Sequence, residues 1–344
     1  AKDDEIWLRY FVELQQMIDL DQRAYERLMA VMKRPECSSR QFGYLAIGSN
    51  TKALNPTQIK NLLYALKDRD AQGAIEAFDI LYMVKHGAKD RDGNEVAELR
   101  AVAFQYLSDL DWSQVESWPS QTEHQIQETI SNALDGDIDR NEVARLLRQI
   151  IPTDGKKYGN YNETRKVAMR PFFEKQPVVA LEEVCQPDEE GSYDYLYFLL
   201  GNRFQDDGAS MLGLVPDEAL LDWCKIDRKK RVPVALEHLA IFEANENESG
   251  LLNPRKSIKL LWKEAEDKRE ALAHLVSRIQ PRSWSGSRAD IIEKRANILA
   301  ALEDDATSDM LEAIAEKRGE LKYLIEQERA HELKEQKREL ESFE

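Results

Sequence analysis

Residues 281–292 read PRSWSGSRADII, and two readings of this stretch lead to two different folds. A serine nucleophile presented on a sharp elbow needs Gly-x-Ser-x-Gly between a strand and a helix, which is an α/β arrangement. Here Ser285 has Ser283 two positions before it and Ser287 two after it, and no alternating strand pattern precedes it. Ser287 followed by Asp290 is instead the start of a helix. The serine oxygen accepts the amide of Asp290, and the Asp290 carboxylate sits favourably at the positive end of the helix. Gly286 allows the turn, and Trp284 is expected to pack across the joint between two helices. On this reading the stretch is a joint in an all-α chain and no catalytic residue is assigned to it.

Outward from the joint the periodicity is helical almost everywhere. Trp7, Phe11, Leu14 and Ile18 line one face, and Tyr25, Leu28, Met29 and Met32 line the next. The stripes Ile59, Leu62, Leu63, Leu66, then Ile75, Phe78, Tyr82, then Val102, Tyr106, Leu110 follow. Later stripes are Val143, Leu146, Leu147, Ile150, then Leu236, Leu239, Ala240, then Leu272, Leu275, Ile279. Asn55-Pro56 and Asn253-Pro254 each place a cap before a proline at the first helical position, and Ser120 with Glu123 has capping-box spacing. The best strand candidate is residues 193–198, YDYLYF, which Leu199-Leu200 continue better as a helix. About fifteen segments of about ten to fifteen residues each, with short connections, are expected. Many amphipathic helices in succession point to stacked helical pairs, an irregular helical-repeat α-solenoid without a fixed period.

Two stretches break the pattern. Residues 152–163, PTDGKKYGNYNE, are rich in Gly, Asn and Lys and make the best internal boundary. The chain is thus divided into an N-terminal helical half, 1–151, a C-terminal helical half, 164–307, and a charged C-terminal helix, 308–344. Residues 243–250, EANENESG, are expected as a polar loop. In the last segment Leu321, Leu324 and Ile325 form the final tight apolar group. The single seven-residue step from Leu333 to Leu340 is a weak coiled-coil signal, so a long solvated helix is expected.

Of the 344 residues 42% are apolar and 33% charged, and 64 acidic against 48 basic residues give a net charge of −16. An acidic field of that size repels nucleic acid at long range, while leaving room for a local basic patch. No run approaches the ~18 apolar residues that a membrane span needs. The start, AKDDEIWLRY, has no Met and no basic-then-apolar layout of a signal peptide, as expected of a cytoplasmic chain or a piece of a longer one. Cys37, Cys185 and Cys224 are far apart and form no CxxC pair, which fits a reducing compartment and offers no zinc site.

Two further stretches carry candidate chemistry. Residues 131–143, SNALDGDIDRNEV, aligned on Gly136, resemble the latter half of an EF-hand loop, with Ile138 apolar and Glu142 at the bidentate position. Ser131 and Ala133 stand where that loop needs carboxylates, so an acidic loop capping the next helix through Asp137 or Asp139 is the favoured reading, and no metal is assigned. Residues 225–231, KIDRKKR, put Lys225, Arg228, Lys229, Lys230 and Arg231 around one Asp. Such a cluster can hold a nucleic-acid backbone or an acidic partner, and basic runs are more often solvated loops. His86, His124, His238, His274 and His331 show no ligand spacing, and Gly155-Lys156-Lys157 lacks the rest of a phosphate loop. Tyr193, Tyr195, Tyr197 and Phe198 are read as helix packing. No cofactor is implied.

The run Leu214-Val215-Pro216-Asp217-Glu218-Ala219-Leu220-Leu221-Asp222-Trp223-Cys224, with Asp227 and Arg231, resembles the C-terminal helical region of large bacterial multidomain proteins. Residues 281–287 and the closing Glu341-Ser342-Phe343-Glu344 share that likeness, which covers about the last 40% of the chain. In that group the helical region is HEAT-like, follows an effector or NTPase module and belongs to defence or conflict systems. The resemblance implies a sensing or scaffolding part whose partner is another protein or an adjoining effector domain, and it carries over no catalytic residue. The expected function is a non-catalytic protein-interaction scaffold. The alternatives are a nucleic-acid-binding helical domain that uses 225–231, and an enzyme whose site is assembled from distant residues.

Overall fold

The computed structural model describes residues 10, 20–47, 51–87, 91–115, 118–119, 122–151, 163–186, 196, 200, 210–246, 252–281 and 284–342. Among them are sixteen α-helices and two short strands, so the chain is all-α. No helix among the described residues is long and apolar enough to cross a membrane. The chain separates into two compact units, Ala1–Glu183 and Val184–Glu344. The division falls C-terminal to the 152–163 stretch expected as a boundary, most of which lies outside the described residues. The stripe Trp7 to Ile18, the strand candidate 193–198 apart from Leu196, and Ser120 also lie outside them.

In the first unit α1 (Gln22–Met32) starts where the Asp21 carboxylate accepts the Ala24 amide at 2.8 Å. A 3-10 helix (Ser39–Ala46) leads to α2 (Pro56–Lys67), where Asn55 and Gln58 each accept the other's backbone amide at 2.9 and 3.0 Å. The α2 stripe Ile59, Leu62, Leu63 and Leu66 is completely buried, as its spacing requires. α3 (Ala71–Gly87) is the centre of the unit, with α2, the 3-10 helix and α6 (Glu123–Leu134) packed on it. Because it is covered from more than one side, Ala74, Ala77, Phe78, Ile80, Leu81 and Val84 are all buried. The narrower stripe expected from Ile75, Phe78 and Tyr82 therefore misreads the helix, and Ile75 and Tyr82 are half-exposed. α4 (Gly93–Ser108), α5 (Trp112–Val115), α7 (Arg140–Ile150), α8 (Glu163–Lys175) and α9 (Pro177–Val184) complete the order.

In the second unit a short 3-10 turn (Met211–Leu214) precedes α10 (Asp217–Ile226) and α11 (Arg228–His238). A two-stranded antiparallel hairpin, β1 (Phe242–Glu246) with β2 (Leu252–Pro254), comes next. This corrects two expectations. Residues 243–246 are strand rather than polar loop, and Asn253-Pro254 ends β2 instead of starting a helix. The reason is tertiary: the Asn297 side chain donates to the Leu252 carbonyl at 3.4 Å and to Asn253 Oδ1 at 3.3 Å, and Arg255 donates its amide to Ile241 at 2.8 Å. α12 (Lys256–Glu264), α13 (Lys268–Ser277), α14 (Arg288–Ala296), α15 (Ile298–Glu303) and α16 (Ser308–Ser342) follow. Trp262 of α12 is fully buried and donates its indole N–H to the Leu302 carbonyl at 3.1 Å. α16 is only partly solvated: Met310, Ile314, Leu321 and Ile325 are buried on its inner face, while Leu333 is exposed. It packs on α13, α14 and α15.

The helix C-termini have a common solution. The only positive φ among the described residues is that of Gly286 (81°), so none of these helices ends in a left-handed C-cap. At several of them the orphan carbonyls are taken by cationic side chains from elsewhere in the same unit. Arg69 donates to the carbonyls of Met32, Arg34 and Cys37 after α1. Arg165, buried, donates to Ile150 and Trp112, both at 3.2 Å. Lys268 takes Trp262 and Lys263 at the end of α12, and Arg278 takes Leu236 and Leu239 at the end of α11. Each such cation also fixes one helix against another.

Candidate functional site

The serine stretch is a helix start. Ser287 caps α14 by accepting the Asp290 amide at 3.1 Å, as its spacing demands. A second anion completes the cap from 45 residues away: Glu332 of α16 accepts the Ser287 hydroxyl at 2.8 Å. It also accepts the Arg288 and Ala289 amides at 2.8 and 3.2 Å. Burial pushes the Glu332 carboxyl up. The Ser287 hydroxyl, the two amides and Arg329 more than offset this and hold it below its ordinary value. Arg288 pairs with Glu328, and Arg329 pairs with Glu293 and, at 3.5 Å, Asp290. Trp284 does not fill a helix joint: it is 50% exposed and stacks under the Arg288 guanidinium at 4.8 Å.

Two expected outcomes follow. Ser287→Ala should cost about 1 kcal/mol through the lost cap, whereas Trp284→Ala should cost well under the ~3 kcal/mol of a buried aromatic. Denaturant titration of both variants checks this. A carboxyl whose folded pKa is depressed contributes stability above its unfolded pKa and loses it as pH falls through the folded value. Hydrogen-exchange protection factors in residues 326–338, with the intrinsic pH dependence of amide exchange divided out, should therefore fall as pH drops below the ordinary glutamate value of about 4.3, and Glu332→Gln should show the lowered protection already at neutral pH.

The acidic stretch 131–143 also resolves into helix ends. Ser131 and Ala133 lie within α6, Asp139 caps α7 by accepting the Asn141 amide at 2.8 Å, and Asp135 pairs with Lys175 at 2.8 Å. The Asp135 and Asp139 carboxylates thus hold protein groups. Cys37, Cys185 and Cys224 are buried free thiols, and burial raises all three, Cys224 to about 12, which makes them poor nucleophiles. Burial likewise raises Glu76 and Asp79 of α3. Glu76 lies against Gly43 and Gln72, and Asp79 is bonded to Gln125. The two are three residues apart on α3, and the Asp79 charge adds to the rise at Glu76.

The basic stretch 225–231 is split between two jobs. Lys225 ends α10 and pairs with Asp222 at 3.2 Å. Arg231 donates to the Trp223 carbonyl at 3.1 Å and stacks over its ring at 4.9 Å. Arg228 pairs with Glu264 at 2.9 Å. Lys229 and Lys230 remain exposed, their ammonium groups paired with nothing among the described residues. Together Arg228 to Arg231 occupy the first four positions of α11, where the helix dipole disfavours cations.

That helix start forms one wall of a cleft of about 500 Å³, with Arg228, Lys229, Val232 and Pro233 on it. The second wall is the α12–α13 connection and the first turn of α13, residues 265–271. The third is the start of α16, with Thr307, Asp309 and Met310. Most of its charges are spent internally. Asp267 caps α13 through the Glu270 amide at 2.9 Å, Asp309 accepts the Thr307 hydroxyl at 2.5 Å, and Lys268 serves the end of α12. The second and third walls were not legible in the sequence, because they meet the basic stretch only through packing across about 35 and 80 residues of chain.

Comparison with protein-family models, curated proteins and solved structures finds no match.

Proposed function

We propose that the chain is a non-catalytic protein-interaction module, the sensing or scaffolding part of a larger bacterial defence-type protein or complex, and that its helices form a HEAT-like solenoid. The observation that carries the interaction reading is the cleft of the second unit. It is open and charged, and its carboxylates and cations are mostly engaged in ending helices rather than in activating one another. A catalytic pair needs titratable groups poised within reach of one reacting atom. Here Lys268 is lowered by burial while its Nζ points at the α12 carbonyls, and Asp309 is lowered by the Thr307 hydroxyl that it accepts. A rigid groove presenting a few unspent charges suits recognition of a partner segment.

The test is a photo-crosslinking residue placed at Pro233 in the cleft and, separately, at Glu243 on the exposed hairpin, in the native host. A single partner protein crosslinked from position 233 and not from 243 supports the reading. Turnover of an ester, nucleotide or nucleic-acid substrate by the pure chain, or the absence of any protein adduct at 233, overturns it.

A further inference from the structure

Lys229 and Lys230 stand at the second and third positions of α11, where positive charge opposes both the helix dipole and their neighbours Arg228 and Arg231. No carboxylate among the described residues neutralises their ammonium groups. Arg228, the residue before them in the same helix, is handled differently, since it has Glu264. On a chain of net charge −16, Lys229 on the wall of the cleft and Lys230 next to it in α11, both without a counter-ion among the described residues, are an unbalanced positive edge. Resting on the interaction reading above, we infer that this edge docks an acidic peptide segment of the partner protein. The carboxylates of that segment lie against Lys229 and Lys230, and its backbone runs along the cleft past Pro233.

The other walls narrow the class of ligand. Glu266, Asp267, Glu270 and Asp309 line the same cleft. A nucleic acid carries a negative charge at every phosphate, so a strand laid in the cleft sets phosphates against these four carboxylates. A peptide carries discrete charges. It can present a glutamate cluster to α11 and a lysine pair to Glu266, which has no ion-pair partner among the described residues and follows Ala265 at the end of α12. Long-range repulsion from the acidic surface limits the approach of any polyanion but is screened within about 10 Å at ordinary salt, which leaves the local lysines to select the docked segment.

The deciding experiment measures fluorescence anisotropy of a short labelled peptide bearing a glutamate cluster followed by a lysine pair, on the full chain at low salt. An all-lysine peptide and a single-stranded DNA of equal length serve as comparisons. The mixed peptide is expected to bind, to weaken as salt is raised, and to lose at least about tenfold in affinity in K229E/K230E. The same variant should melt no lower than the parent, because glutamates suit the first turn of a helix, so a loss of binding cannot be ascribed to unfolding. The inference is overturned if the peptide does not bind, if the double reversal leaves binding unchanged, or if the DNA binds more tightly and is lost in the variant. It also falls if the parent sediments as an oligomer that K229E/K230E dissolves, since the occupant is then a second copy. If K229E/K230E still crosslinks its partner from position 233, the interaction module stands and the acidic-segment docking falls.

Discussion

Arg278→Met should be among the most damaging single changes in the second unit, costing about 3–5 kcal/mol. Arg278 is 8% exposed, and one of its guanidinium nitrogens donates to the Leu236 carbonyl at 2.7 Å and the Leu239 carbonyl at 2.8 Å. Methionine keeps most of the side-chain volume and removes the donors, so two carbonyls at the end of α11 lose a partner inside the protein. Charge-assisted hydrogen bonds are the stronger kind, and an unsatisfied buried acceptor bears its whole desolvation cost. Hydrogen exchange followed by mass spectrometry gives the unit-resolved readout. Peptides from α11, β1 and α13 should lose protection together, while α2 and α3 of the first unit keep theirs. A variant with undiminished protection in α11 would show that the guanidinium is dispensable and that solvent caps this helix end.

Gly73→Ala should cost about 3 kcal/mol or more, at or beyond the upper end of ordinary overpacking. A Cβ on Gly73 would stand 2.2 Å from the Leu66 carbonyl oxygen and 3.2 Å from Ser39 Oγ. The first of these is backbone and cannot rotate away. The first turn of α3 must part from the end of α2, and the Gly73 amide must leave the Asp70 carboxylate that accepts it at 2.6 Å. Gly93 is the matched control: it opens α4 just as Gly73 lies in the first turn of α3, and nothing stands within 4 Å of the Cβ it would gain. Gly93→Ala should therefore stabilise by about 0.5–1 kcal/mol, by restricting the unfolded chain and favouring helix. Urea midpoints of the two variants should move in opposite directions. Equal shifts would mean that helix propensity, and not the approach of backbone to backbone, governs both sites.

The helical class was legible because it needs only local information. Ile59, Leu62, Leu63 and Leu66 recur at the helical period, and an apolar face of that width has to be buried. Asn55, Asp139 and Ser287 act as caps because their side chains reach amides two or three residues on, whatever surrounds them. The short hairpin was not legible, since Asn253-Pro254 is a sound helix start until Asn297, 44 residues away, takes up its side chain. Trp284 was assigned to a joint from its neighbours in sequence, yet it lies half-exposed against the Arg288 guanidinium.

By itself the sequence determined that this chain is built of amphipathic helices, where many of them begin, and that the serine stretch at 281–292 is one of those beginnings. Only the tertiary structure set the caps at the ends of α1, α7 and α11, because their last carbonyls are taken by Arg69, Arg165 and Arg278 from 15 to 42 residues away. It alone set Glu332 on the start of α14 and gathered 228–233, 265–271 and 307–310 into one cleft. It also separated Lys229 and Lys230 from the three other cations of their run, because Asp222, Glu264 and Trp223 came within reach of those three and of no others. Period and capping act over one helical turn, whereas pairing of charges and closure of a cleft depend on which helices pack together.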